Sequence, residues 1–409
     1  MVEEGTASHP VVIVGGGPAG MMAGVLLARA GVPVTVLEKH ADFFRDFRGD
    51  TVHPSTLEIF HQLGWLQELL EIPHSRIDEI SVRIAGDECR IVDFRHLDLA
   101  APYVAMMPQW DLLDFLAEKG RDYPTFALRM QAEAIGVTAD RAGRISAVEL
   151  ASGEVIPARL VIAADGRRSV LRDAAHLPLT QIGAPMDVFW FRLDKLSGGD
   201  QASFGTMAAG KFLVTIERSD YFQCAYLFRK GGAAALRQRG IGQFRQDLAS
   251  LLPDMERSIA ALQDWDQVKL LDVALDRLER WHSPGLLAIG DAAHAMSPIG
   301  GVGINVAVQD AVAMANILAE PLARGADPDP LLAQVQAHRW KAVTRMQAMQ
   351  KFVQDRVIEP VLARKKPITR PFLPVRLLNA IPPLRRIPAR IIGLGFDPVQ
   401  IESEAILRG

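Results

Sequence analysis

Between residues 11 and 38 the chain reads as strand, glycine turn, helix, strand and acid in immediate succession. Val11-Val12-Ile13-Val14 is a β-branched run without alternation, the pattern of a strand buried on both faces. Gly15-Gly16-Gly17-Pro18-Ala19-Gly20 follows, then an apolar helical stretch over 21–30 closed by Gly31 as C-cap, and a second apolar run over 32–37 that ends in Glu38. Each residue type has a physical task in a dinucleotide-binding unit. Gly15 permits a tight turn, Gly17 lets a pyrophosphate approach the backbone, and Gly20 allows the helix to pack close to the strand. The helix start, at Ala19 and Gly20, offers free N–H groups and partial positive charge to phosphates. Glu38, with Lys39 beside it, stands where a carboxylate accepts from both ribose hydroxyls of an adenosine and repels a 2′-phosphate.

Composition narrows the rest. The 409 residues are 49% hydrophobic and 23% charged, ordinary globular values that exclude bulk disorder and collagen-like classes. A net charge of −3 gives nothing global to attract nucleic acid. The two cysteines, Cys89 and Cys224, stand far apart with no metal-ligand spacing, so neither a disulfide framework nor a metal site is expected, and the reducing cytoplasm is the expected compartment. The N-terminal MVEEGTASHP lacks the basic start of a secretory signal. Two uncharged runs of spanning length, 11–28 and 292–309, are broken by glycines and a proline, which predicts buried strand–turn–helix and loop–helix units in place of membrane spans.

Two further segments decide which dinucleotide is expected. Asp165-Gly166-Arg167-Arg168-Ser169-Val170-Leu171-Arg172, after the apolar strand 160–164, resembles the ADGxxSxvR segment of the FAD-dependent aromatic-ring monooxygenases, the p-hydroxybenzoate-hydroxylase-like single-component flavoprotein hydroxylases. Gly290-Asp291-Ala292-Ala293-His294, followed by Pro298, Gly301, Gly303 and Asn305, resembles their GDAAHxxxPxxGxGxN segment. All three motifs occur in the family order, and the matching stretches cover about half the chain. The resemblance implies an α/β fold with a Rossmann-like (GR2-type) FAD-binding domain, an inserted β-sheet substrate domain and a helical C-terminal tail. It implies FAD as cofactor, NAD(P)H as co-substrate, and hydroxylation by O2 of a small aromatic, polyketide or quinone-like molecule through a flavin C4a-hydroperoxide. Asp165 would lie near the FAD pyrophosphate and Asp291 on the ribityl hydroxyls. The loop from Pro298 through Gly301, Gly303, Ile304 and Asn305 would border the flavin ring, with the positive end of the following helix at its N1 and O2. Arg45 and Arg48 would bind the pyrophosphate, and Gln109 would contact the FAD backbone. His53 is a possible proton relay at the flavin edge. Ser55 to Glu58 reads as a helix cap, and His294 as a structural histidine holding the loop. No second glycine fingerprint follows the first, so a nicotinamide would have to reach the flavin in the same cleft.

The expected organisation is an FAD-binding part over 1–180, with a strand excursion at about 75–105 into the substrate domain. A substrate sheet over 181–280, a last FAD-binding part over 281–330 and a tail over 331–409 complete it. Aromatic residues are concentrated in 186–228. Trp190, Phe222, Tyr226 and Phe228 are the candidate walls of an apolar substrate pocket, with helical turns in 241–262 covering the opposite side. From 361 to 396 there are eight Arg or Lys and no acid. This stretch reads as a tail packed on the flavin domain with solvated arginines, or as a contact for an anionic membrane surface. The sequence leaves the oligomeric state open. Two other readings share the FAD frame: a flavin-dependent reductase or halogenase, although no Trp-x-Trp signature is present, and a non-catalytic FAD-fold binding protein.

Overall fold

The computed structural model describes residues 9–44, 50–195, 204–218 and 220–408. Strand Val11–Val14 pairs in parallel with Val34–Leu37 on one side and Leu160–Ala163 on the other. Phe126–Arg129 extends the sheet beyond Val34–Leu37, and Leu286–Ala288 with His282–Ser283 extends it beyond Leu160–Ala163. Every residue of Val11–Val14 and Leu160–Ala163 is buried, which explains why these strands show no polar alternation. Helices Pro18–Arg29 and Gly303–Ala323 pack along each other, and a three-stranded antiparallel sheet contributes Ile145, Val148, Leu150 and Ile156 to the same core. Helix Gly303–Ala323 belongs to an apolar stretch long enough to cross a bilayer, but 83% of its most apolar window is buried inside the molecule. It is a core helix.

A second, seven-stranded sheet runs in the order Lys269–Leu271, Met186–Asp194, Tyr221–Arg229, Lys211–Glu217, Gly205–Ala208, Glu79–Ile84, Asp87–Asp93. Its pairs are antiparallel except Gly205–Ala208 with Glu79–Ile84. The first half of the chain thus lends this sheet its last two strands. Beyond it, helix Asp329–Val353 leads through a π-helical turn, Gln354–Ile358, into Glu359–Ala363.

The two faces of this sheet are occupied in the reverse of the sense expected from sequence. The register sets Phe189 opposite Tyr226 and Phe191 opposite Cys224, so these side chains share a face with Phe222 and Phe228. Helices Ile241–Ala249 and Glu256–Ala260 cover that same face, with Phe244 set edge-on against Phe189, Phe191 and Tyr226. Phe222, Tyr226 and Phe228 are therefore packed beneath helices and do not line a cleft. Trp190, opposite Ala225, lies on the other face, among Val188, Val214, Leu227 and Ile299.

Candidate active site

Four parallel strands of the first sheet end side by side, and each ends in a group that sequence singled out. Across the sheet, these carboxyl ends lead to Asp291, Asp165, the Gly15–Gly17 turn and Glu38 in that spatial order. Ligands of open α/β sheets bind in the crevice beyond such strand ends. At the turn, Gly15 has φ +108°, and a Cβ there would stand 2.3 Å from the Ala164 carbonyl oxygen; one on Gly20 would stand 1.9 Å from that of Gly15. Gly17, in contrast, faces open space. The turn is closed against its own sheet and open where a ligand would approach.

Two helix starts meet in this crevice. Neither Pro18–Arg29 nor Gly303–Ala323 has a side-chain cap or an acid in its first turn, so their leading N–H groups are left for an anion. Gly290 locates their convergence: its Cβ would lie 2.9 Å from Ala19 Cβ and 3.5 Å from Ala307 Cβ. Two positive helix ends within about a turn of one point suit a ligand with separated anionic parts.

The acids are arranged with different degrees of freedom. Glu38 is buried and accepts the backbone N–H of Gly16 through Oε2 and that of His40 through Oε1, both at 3.0 Å. Lys39 beside it is exposed. Asp165 Oδ2 accepts from Val170 N at 2.8 Å, whereas its Oδ1 is buried without a partner, and burial raises its carboxyl above the ordinary value. Asp291, half-buried, is met by Arg167 Nε at 3.2 Å. The open space at Gly17, the unpartnered Asp165 Oδ1 and the uncapped helix starts fit a dinucleotide such as FAD. Glu38 would then hold the adenosine end, the Gly15–Gly20 backbone the pyrophosphate, and Asp291 the ribityl chain. Arg45 and Arg48 lie outside the described residues. Gln109 opens helix Gln109–Arg121 and gives its backbone N–H to Asp50.

The 298–303 loop is held from one side by residues 51–56. The Gly301 carbonyl accepts from Thr51 Oγ1 at 2.6 Å and from His53 Nε2 at 3.0 Å. Burial lowers the His53 pKa to about 4 against the raising effects of the Gly301 and Ile392 carbonyls, so the ring is neutral at pH 7, with Nε2 donating to Gly301. Its Nδ1 is buried without a partner. The expected helix cap is not formed: the N-cap of Pro54–Gln62 is His53, with no side-chain cap bond. Ser55 and Thr56 instead donate their hydroxyls to Asn305 Oδ1, both at 2.6 Å. Asn305 is fully buried and its Oδ1 locks two helices together, while its Nδ2 is a buried donor without a partner. Gly303 opens onto free space and Ile304 is buried. Pro298 is the N-cap of the short turn Ile299–Gly301.

Behind the loop, His294 Nε2 donates to Asp310 Oδ2 at 2.6 Å, Arg339 Nε to Asp310 Oδ1 at 2.9 Å, and Gly290 N to Asp310 Oδ2 at 3.0 Å. Burial alone would raise the Asp310 carboxyl; His294 and Arg339 outweigh it and hold the pKa below the ordinary value. This fully buried trio ties the Asp291 segment to helices Gly303–Ala323 and Asp329–Val353. It is a structural role for His294. Nothing in the sequence marked Asp310 or Arg339, because each sits among ordinary helical residues.

Sequence reasoning also missed a charged pair between the seven-stranded sheet and the segment leading into Thr51–Val52. Arg218, just past strand Lys211–Glu217, is buried and bonds Asp50 and Gln223 through Nη2, while its Nε and Nη1 have no partner. Burial pushes the Asp50 carboxyl up to about 6 against the pull of Arg218. Gln223 lies on the same face as Trp190, whose Nε1 is also buried and unpartnered. The face turned toward the 298–303 loop thus holds apolar side chains and unused hydrogen-bond donors.

Comparison with known proteins agrees with this geometry. Residues 8–350 match the family described as an FAD binding domain. The chain is 31% identical over 352 residues to 6-methylpretetramide 4-monooxygenase of Streptomyces rimosus, with 84% of each chain covered. It is 27% identical over 356 residues to a rifampicin monooxygenase of Streptomyces venezuelae, covering 82% of this chain and 69% of that one. Its fold is similar to that of PqsL, a probable FAD-dependent monooxygenase from Pseudomonas aeruginosa, with a TM-score of 0.74, 24% identity, and 87% and 98% of the two chains covered. By the family match over most of its length and the 31% identical relative, the chain belongs to the FAD-dependent monooxygenase family, whose members include aromatic and polyketide hydroxylases.

Proposed function

We propose that this protein uses NAD(P)H and dioxygen to hydroxylate an aromatic or polyketide-like substrate. The substrate is held between the 298–303 loop and the sheet face bearing Val188, Trp190, Val214 and Ala225. The observation that carries this reading is that Ile299 and Trp190 both pack against the apolar cluster containing Val188, which sets the loop beside that face. Relatives named for polyketide hydroxylation and for 6-methylpretetramide support the substrate class. FAD, when bound, supplies the two-electron exchange with the nicotinamide and the activation of dioxygen. The chain itself binds and shields. Backbone N–H groups at the two helix starts receive anionic oxygens, His53 and Thr51 hold the Gly301 carbonyl, and apolar side chains exclude water from the reacting space. Trp190 Nε1 and the Arg218 guanidinium offer donors to a substrate oxygen. A single glycine fingerprint directs the nicotinamide to the same cleft. The test is a panel of phenolic, polyketide and quinone compounds given to the flavin-loaded protein, scored by stimulated NAD(P)H oxidation and by a product one oxygen heavier. Oxidation that no compound stimulates, with no oxygen gained by any, overturns the reading.

A further inference from the structure

The charge of this chain is unevenly placed. Residues 361–396 carry eight Arg or Lys and no acid, so a chain of net −3 has +8 in this segment and −11 in the remainder. Seven of the eight, Arg364, Lys365, Lys366, Arg370, Arg376, Arg386 and Arg390, are exposed. The eighth, Arg385, is buried on the carbonyls of Leu378 and Asn379. None of these side chains makes an ion pair among the described residues, although Arg370 and Arg376 border a groove with Asp87 and Glu88. The charge is therefore left for something outside the fold.

Apolar groups are exposed in the same layer. Helices Leu373–Ala380 and Arg386–Gly393 and the turn between them all pack on the edge strand Asp87–Asp93, and Asn379 Oδ1 accepts the Arg90 N–H at 3.0 Å. The inner side of this layer is set by Phe372, Val375 and Ala389. On the outer side Leu373, Leu377 and Ile381, spaced by four residues, are 64%, 45% and 43% exposed, and Ile387 is 60% exposed. The prolines that forbid one long amphipathic helix leave two short ones instead.

We propose that this surface docks on an anionic lipid bilayer, with the four aliphatic side chains entering the interface and the cations meeting lipid phosphates. Cations alone would suit any polyanion. Aliphatic side chains in the same layer suit a surface with an apolar interior, and this favours a bilayer over a nucleic acid. Ile392, in the second helix, packs near Gly300 of the loop bordering the cleft, so docking would hold the cleft close to the lipid.

The experiment is co-sedimentation of the flavin-loaded full chain with vesicles of phosphatidylcholine alone or with about one-third phosphatidylglycerol. Binding is expected only to the anionic vesicles and should weaken steeply with salt. The triple variant Lys365→Gln, Lys366→Gln, Arg370→Gln is expected to bind about 100-fold more weakly. Leu373→Ser with Leu377→Ser is expected to weaken binding about tenfold or more while leaving the salt dependence unchanged. All five side chains are exposed, so flavin content and Tm should match the parent. No binding to anionic vesicles overturns the proposal. So does a leucine variant that binds as the parent does while duplex DNA binds equally well, since the surface would then be a general polyanion site. Loss of a dimer in the leucine variant, without vesicle binding by the parent, would make the occupant a second copy and overturn it too.

Discussion

Nε2 of His53 lies 3.0 Å from the carbonyl oxygen of Gly301, joining residues 248 positions apart at the loop that borders the cleft. Burial holds this histidine neutral down to about pH 4, against an ordinary value of 6.5. The unfolded chain therefore takes up a proton that the folded chain refuses, and stability falls as pH drops through that window. The expected contribution approaches about 1.4 kcal/mol per pH unit within it. His53→Gln keeps an N–H donor and removes the titration. Urea unfolding between about pH 7 and about pH 5 should show a shallower decline in the variant. An unchanged slope would assign the proton to another group.

Glu38 binds the turn as well as facing the crevice, since Gly16 N and His40 N both donate to it. Glu38→Ala is expected to raise the FAD dissociation constant about tenfold to hundredfold, the equivalent of one or two charge-assisted hydrogen bonds. Turnover should return to near the parent value at saturating FAD, because the flavin end is untouched. Fluorescence titration of the apoprotein measures the first and steady-state assays the second. Equal affinity in variant and parent would place the adenosine ribose elsewhere.

What could be read from sequence here was local. Gly20 is demanded by a close approach to Gly15 within one strand–turn–helix unit, Gly15 has the positive φ of a tight turn, and Glu38, Asp165 and Asp291 each follow on a buried run. What could not be read was relational. Alternation in 222–228 says that Phe222, Tyr226 and Phe228 share a face, but both faces of that strand are apolar, and nothing local says which one the helices cover. Arg218 stands in Glu217-Arg218-Ser219-Asp220, which reads as a solvated turn. Only the arrival of Asp50, from the segment leading into Thr51–Val52, makes it a buried group. Asn305 follows the loop directly in sequence, yet its amide oxygen is engaged by Ser55 and Thr56, residues that by themselves suggest a helix cap.

The Asp50–Arg218 pair ties the end of strand Lys211–Glu217 to the segment leading into Thr51–Val52, which holds the 298–303 loop. Arg218→Met would leave a buried carboxyl without its partner and Asp50→Leu a buried guanidinium, each expected to cost about 3–5 kcal/mol. The double variant should cost clearly less than the sum, because neither charge remains. Asp50 also contributes a pH dependence opposite in sign to that of His53. Its folded pKa of about 6 lies above the ordinary 3.8, so its contribution is fully present below about pH 4 and is lost as pH rises through about 6. Urea unfolding of the four proteins tests both statements. Additive single-variant losses would mean that the two side chains are not coupled.

The two faces of the seven-stranded sheet give the sharpest contrast. Phe228 packs against Phe189, with ring centroids 4.4 Å apart, beneath the helical cover. Phe228→Ala should therefore destabilise the fold by about 3–5 kcal/mol and leave the flavin cleft dry. Trp190 stands on the face turned toward Ile299, with its N–H unpartnered. Trp190→Phe keeps an aromatic side chain, smaller than the indole, and deletes that donor, so stability should fall by no more than about 1–2 kcal/mol. KM for the responding substrate should rise, and more hydrogen peroxide should be released per NAD(P)H consumed, because a substrate less firmly oriented lets reduced oxygen escape to water. Thermal unfolding separates the two variants on stability, and a peroxidase-coupled assay beside NAD(P)H consumption separates them on coupling. A leaky but stable Phe228→Ala together with a tightly coupled Trp190→Phe would put the substrate under the helices and move the pocket to the opposite face of the sheet.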